Sequence, residues 1–412
     1  MPSKKTLQNY ARLAVVSGVN VQKGQLLEIS APVECHEFAR LCQAEAYRAG
    51  ASEVRINYED DIALRNDYLY EEEAQLVNVP KHVIEHMKEA RSRGAAFLYI
   101  DSDQPGLMKE VDPKRMAKAI SAKRKAKQPY QAYTMNNIGQ WSIVAVPNPI
   151  WAKKVFPKET AEHAMDLLWK AILKTVYVTA DNDPAKVWKQ HSAEIQRHCK
   201  LLDRYHFQSL HFTNTLGTDL IVSLPEGHIW GGGSELATGR NCRFNPNMPT
   251  EEVFTTPDRM HVDGVVYASK PLSYQGQMIE SFHLTFKDGK VTEYDAKKGN
   301  EALKEILNAD EHSCRLGEVA LISYDSPISK MNLLFYDTLF DENASCHLAL
   351  GASYPTQLKN GGSMSEKQLM AHGGNVSSVH VDFMLGTRDM SVVGIDAKGR
   401  KIPVFENGNF VF

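Results

Sequence analysis

The chain has 412 residues, 43% of them hydrophobic and 24% charged, with a formal net charge of -3. That length accommodates two or three domains with cores of their own, and that charge gives no sign of a nucleic-acid or membrane-surface partner. No apolar run approaches the length of a membrane span, and MPSKKTLQNYARLAVV lacks the apolar core and small-residue site of a secretory signal, so a cytosolic location is expected.

In chain order, TLQNYARLAVVSG has helical spacing, QLLEIS reads as a short strand, and ECHEFARLCQAEAYRAG as an amphipathic helix ending at Gly50. SEVRINY is the next strand, and HVIEHMKEARSRG and AFLYID repeat the helix–strand order before the strand WSIVAVP. The basic run from Lys114 to Lys127 reads as a solvated helix face. Such alternation predicts a mainly parallel sheet covered by helices. No GxGxxG fingerprint and no GKS or GKT phosphate loop is present, which argues against nucleotide binding there. Helix-compatible runs follow from Glu159 to Cys199. Near residue 205 the character turns to β. SLHFTNTLGTDLIVSL reads as two strands joined at Leu216-Gly217-Thr218, ESFHLTFKDGKVTEYDA as a hairpin with an Asp-Gly turn, and Asn300 to Asn308 as a helix. The fold class expected is α/β: an N-terminal α/β domain over 1–194, then a β-rich α+β catalytic domain over 195–412. The cysteines at 35, 42, 199, 242, 314 and 346 are scattered without a CxxC pair, the pattern of reduced, mostly buried thiols.

Several carboxylates and imidazoles of the second half sit in apolar surroundings. In NMPTEEVFTTP, Glu251 and Glu252 directly precede an apolar strand; being adjacent, they face opposite ways, so at most one looks inward. In CRLGEVALIS, Glu318 shares a strand face with Ala320 and Ile322. LLFYDTLFDENASCHLALGASY carries Glu342 and His347, with Tyr354 seven residues beyond the histidine. In VHVDFML, His380 and Asp382 point to one face of a strand that is otherwise apolar. Singly, each has an ordinary explanation: a solvated strand end, a turn or helix cap at Asp341-Glu342-Asn343, a core histidine, a buried ion pair. Together they form a set of carboxylates and imidazoles without a thiolate, which suits a pair of zinc-, cobalt- or manganese-like ions better than calcium. The one-metal alternative fails, because His36-Glu37 opens like HExxH but Arg40 stands where the second histidine belongs.

In this order, NMPTEEVFTTP, RLGEVALIS, LFYDTLFDENASCHLALGASY and HVDFMLGT resemble the aminopeptidase T and aminopeptidase S family of thermophilic-type metalloaminopeptidases. PEGHIWGGGS and LQNYARLAVVSGVNVQKGQ fit it too, so the resemblance covers the whole chain. It implies an exopeptidase with two divalent ions per chain (zinc, cobalt, manganese or magnesium), acting on short peptides with a free N-terminus as a cytosolic homodimer. The ligands it implies are Glu252, Glu318, Glu342, His347, His380 and Asp382, with Tyr354 as the active-site tyrosine. The mechanism expected is attack on the scissile carbonyl by a metal-bound hydroxide, with Glu318 relaying the proton and Tyr354 donating to the oxyanion. A dinuclear phosphoesterase and a non-catalytic metal-dependent peptide-binding protein are the alternatives, the first of which needs arginines or lysines converging on the site. Few occur in the motif segments beyond Arg243, Arg259 and Arg315.

Overall fold

The structure, a computed structural model, describes residues 1–274 and 277–412, apart from the side chains at 129, 131 and 132. The chain divides into two compact units, Met1–His191 with Ser234–Pro249, and Ser192–Gly233 with Thr250–Phe412.

In the first unit, strands β1 (Leu26–Pro32), β2 (Glu53–Glu59), β3 (Ala96–Asp101) and β4 (Trp141–Ala145) form a parallel sheet in the order β2-β1-β3-β4, extended by Asn247–Met248. Helices Lys4–Leu13, His36–Ala49 and Lys81–Ser92 alternate with these strands, the order that forces a parallel sheet. The helix His36–Ala49 buries Phe38, Ala39, Cys42 and Ala46, a stripe at helical spacing. Tyr10, wholly buried, donates its hydroxyl to Ala145 O at 2.9 Å and so ties the first helix to the sheet. The basic run lies in the helix Pro113–Met135, where Lys118 pairs with Glu73 and Arg115 donates to Tyr68 O at 2.6 Å. A helix the sequence reading passed over, Asp61–Tyr70, starts at Asp60, whose side chain accepts from the amides of Ile62 and Ala63.

The second unit contains two antiparallel sheets. The larger has nine strands, with Ser209–Thr213 and Asp219–Ser223 at its centre and the hairpin Gln277–Lys287/Lys290–Lys298 along one side. The smaller has the order β5 (Val253–Thr255), β6 (Leu316–Leu321), β7 (His347–Gly351) and β8 (His380–Met384). β6 and β7 are buried along their whole length, which is why LGEVAL and HLALG are nearly unbroken apolar runs. Phe212, Leu220, Val319, Leu348 and Phe383 belong to one core shared by the two sheets. Among the described residues no helix is long and apolar enough to cross a membrane, and all six cysteines are free.

Candidate metal centre

The smaller sheet brings the polar residues together through its register. Glu318 on β6 pairs with Ala349 on β7, and Ala349 pairs with Asp382 on β8. Directly paired residues share a face, and so do residues two apart on one strand. Glu318, His347, His380 and Asp382 therefore stand on one face around Ala349, whose methyl leaves the space between them open. Glu252 comes from the turn before β5, where Val253 pairs with Leu321. It is Glu252 that faces the cluster; the preceding residue's amide, that of Glu251, donates to Asn343 Oδ1 at 2.8 Å and fixes the turn.

Two triads result, Glu252–Glu318–His347 and Glu318–His380–Asp382, in each of which one donor atom per residue lies within 4.8 Å of the others. His347 Nε2 is 3.5 Å from Glu252 Oε2 and 3.4 Å from Glu318 Oε1. His380 Nε2 is 3.4 Å from Glu318 Oε2 and 3.4 Å from Asp382 Oδ1. Each oxygen of Glu318 thus faces a different imidazole, the arrangement of a carboxylate that belongs to both triads. His380 donates Nδ1–H to Ala352 O at 2.7 Å, which fixes the tautomer and leaves Nε2 to the cluster. Glu342, on the short 3-10 turn Glu342–Ala344, lies outside both triads but close enough for Asp382 and Glu252 to act on it.

Without ions the cluster shares protons. Burial and then Glu318 push Glu252 up to about 8. Burial, Asp382 and Glu252 hold Glu342 well above the carboxylate range. Burial acts the same way on Glu318 and Asp382 but is outweighed, by hydrogen bonds from His347 and His380 in the first and by the His380 charge in the second, so both stay below it. Burial opposes the charge of His347 and His380, yet the carboxylates carry His347 up to about 10 and His380 well above the imidazole range.

The donor set fits divalent cations. Among the described residues no lysine or arginine pairs with any of these four acids. Asp382 Oδ1 is a buried oxygen without a properly formed hydrogen bond, a costly state that a cation relieves. The arginines considered above are engaged elsewhere: Arg315 donates to Arg259 O and Asp288 O, Arg259 to Asn375 Oδ1, and Arg243 to Ser234 O.

Tyr354 follows β7 and packs edge-on against His380, ring centroids 5.0 Å apart, and against Phe254 at 5.8 Å. Burial first, then the charges of Glu318 and Asp382, raise its phenol well above the usual range, so it remains a hydrogen-bond donor.

Sequence reasoning missed the residues that hold the frame. Asp310 accepts from Ser377 Oγ at 2.7 Å, Ser378 N at 2.6 Å and Ser378 Oγ at 2.7 Å, pinning the segment that enters β8. Burial raises its pKa, but these bonds more than offset that and hold the carboxyl below its ordinary range. Its contribution is complete above the unfolded value near pH 4 and is lost as pH falls through the lowered folded value. Asp310→Asn is expected to cost about 2 kcal/mol at pH 7, in line with hydrogen bonds to a charged group. The gap in urea midpoint between the two proteins should narrow below about pH 4; a gap independent of pH would show that the carboxylate charge is not what holds the segment.

A buried set of carboxylates and imidazoles, presented by a sheet and without a lysine or arginine paired to its acids, defines a divalent-metal protein. The chain belongs to the thermophilic metalloprotease (M29) family, which it matches over residues 3–410. It is 43% identical to aminopeptidase AmpS of Bacillus subtilis (strain 168), covering 98% of each chain, and 42% identical to aminopeptidase 2 of Geobacillus stearothermophilus, covering 99% of this chain and 98% of that one. The solved structure of wild-type AmpT from Thermus thermophilus superposes with a TM-score of 0.92 at 38% identity, covering 99% of this chain and 100% of that one.

Proposed function

We propose that the protein is a metal-dependent aminopeptidase with two divalent ions per chain, of the zinc, cobalt, manganese or magnesium kind. The single observation that carries the dinuclear reading is Glu318, whose two oxygens face the imidazoles of two different triads. Glu252 and His347 would hold one ion and His380 and Asp382 the other. Glu342 completes the set from the side of Asp382 and Glu252, and Glu318 is shared. When bound, such ions polarise a scissile carbonyl and make a bound water acidic near neutral pH.

The chain's own groups supply the rest. Glu318 accepts the proton of the attacking water and relays it to the leaving amine. Tyr354 keeps its phenolic proton and donates to the oxygen that gains charge at the scissile carbonyl. Phe254, edge-on to Tyr354, helps to fix the ring. Short peptides with a free N-terminus are the substrates in this reading. The homodimer and the cytosolic location implied by the family resemblance belong to it too, and light scattering on the metal-loaded protein tests the first.

Tyr354→Phe is expected to lower kcat by about a hundredfold, the scale of one lost oxyanion donor, while metal content stays unchanged. Unchanged turnover would remove Tyr354 from the chemistry. The reading as a whole is tested by stripping the protein with chelator and following hydrolysis of aminoacyl amides as zinc, cobalt, manganese or magnesium is returned. Activity should reach its plateau near two ions per chain and require a free amine, with an N-acetylated amide and a phosphate ester left intact. Metal uptake without amide cleavage would leave the site standing and overturn the activity. Cleavage of the phosphate ester alone would favour the phosphoesterase.

A further inference from the structure

Beside the segments that follow β6 and β8, the second unit also holds a cavity of about 360 Å³. It lies between residues 269–271, the segment 324–334 and residues 386–388, where the chain leaves β8. Among the groups on its wall, Ser269 and Lys270 are left unsatisfied by the protein. Ser269 donates its backbone amide to Met384 O at 2.8 Å, but its Oγ is buried with no hydrogen-bond partner. Lys270, next to it and half-buried, has no hydrogen bond and no acid within 4.0 Å among the described residues; burial lowers its pKa, and Asp341 opposes this only from further away. Arg388, exposed on the rim, likewise has no acidic partner.

A partly buried ammonium without a counter-ion and a buried hydroxyl without a partner are both costly, and proteins rarely leave them so. Here they are neighbours on one cavity wall, and the second cation stands on the same wall. Pro271, Leu333 and Leu334 add an apolar patch to a lining that Ser329, Asn332 and Thr387 otherwise keep polar. The volume falls at the lower end of small-molecule sites and exceeds what a bare inorganic ion fills.

We propose that this cavity is a binding site for a small organic oxyanion, a carboxylate or phosphoryl group on an apolar body. Lys270 and Arg388 take the anionic head, Ser269 donates its hydroxyl to it, and Pro271, Leu333 and Leu334 enclose the body. The site uses none of the metal-centre residues, so it stands apart from the aminopeptidase reading. Its acidic neighbour, Asp341, forms no ion pair with Lys270 and accepts instead from the amides of Phe335 and Asp337.

The test is binding of 3-phenylpropionate and of phenyl phosphate to the full chain by calorimetry, with metals loaded and with metals stripped. Binding should be of similar strength in both forms. Affinity that disappears with the metals would assign the anions to the metal centre and overturn the proposal. Lys270→Gln should weaken binding at least about tenfold, the loss of one charge-assisted contact, while hydrolysis of an aminoacyl amide with an apolar side chain is unchanged. Equal binding by Lys270→Gln and wild type, or no binding of either probe, would also overturn it. Should Lys270→Gln fail to fold, Arg388→Gln at the exposed rim decides the matter by the same comparison. Binding of one probe only identifies the head group, carboxylate or phosphoryl.

Discussion

Glu318→Gln is expected to reduce peptide hydrolysis by at least about a thousandfold, the upper end of what one preorganised polar group supplies. The variant should also lose the rise in thermal stability that metals give the wild type. The two effects have one origin. Glu318 Oε1 faces His347 Nε2 and Oε2 faces His380 Nε2, each at 3.4 Å, so no other residue belongs to both triads. Glutamine keeps the shape but offers one neutral oxygen and one NH2, which can serve only one ion and has no negative charge to hold the pair together. The metal-free protein should suffer far less. Four acids crowd this pocket, and after burial the charge of Glu318 does most to raise Glu252, so its removal relieves repulsion even as it deprives two imidazoles of a partner. The measurement is thermal unfolding of both proteins with and without metal, alongside kcat/KM and bound metal. Stabilisation by a bound ligand grows with its concentration over Kd, so the difference between the two conditions reports the site directly. A Glu318→Gln protein that binds two ions and turns over normally would end the dinuclear proposal.

How much of this was legible beforehand follows from the physics of each element. β6 and β8 could be read because an apolar run with alternating acids or imidazoles has one plausible register: His380 and Asp382 share a face by strand periodicity alone, and the sheet then brings that face to Glu318 through Ala349. The parallel sheet of the first unit was legible for a similar reason, since helix–strand alternation leaves one architecture open. What did not show was whatever depends on distant partners. The helix Asp61–Tyr70 buries only Tyr68, so it has no apolar stripe to find, and its signal was the capping Asp60. The strand Asn247–Met248 joins the first unit's sheet although the chain has passed through Ser192–Gly233 of the second unit before it, and nothing in its composition marks that return. Asp310 carries no local signal; only the fold brings Ser377 and Ser378 to it. Nor does any local pattern distinguish Glu252 from Glu251. The choice rests on which of them the turn aims at His347, and that turn is held by Asn343, 92 positions away from Glu251 in sequence.

The glycine run of PEGHIWGGGS belongs to the same class of distant supports, and it yields the second large effect. Gly231 exchanges both backbone hydrogen bonds with Phe254, each at 2.9 Å, which lays the run against the start of β5. Gly232 then passes so close to Glu252 that a Cβ there would lie 2.2 Å from the Glu252 carbonyl oxygen and 2.9 Å from Ile195 Cγ2, at φ +148. The colliding oxygen is backbone and has no rotamer to escape into, so Gly232→Ala must move either the run or Glu252 itself. A displacement of a ligand by about 1 Å is worth on the order of a hundredfold in rate, and that is the loss expected here, with weaker metal retention, from a residue that touches neither ion nor peptide. Gly233→Ala is the control. Its φ is +65, which strains any side chain, but its Cβ would sit 3.4 Å from Ile195 and meets no backbone of Glu252. It should lose about 1 kcal/mol of stability and keep nearly wild-type kcat/KM. If the two variants lose activity equally, the run matters through its flexibility rather than through its contact with Glu252. If Gly232→Ala keeps full activity and metal, the glycine has no part in placing that ligand.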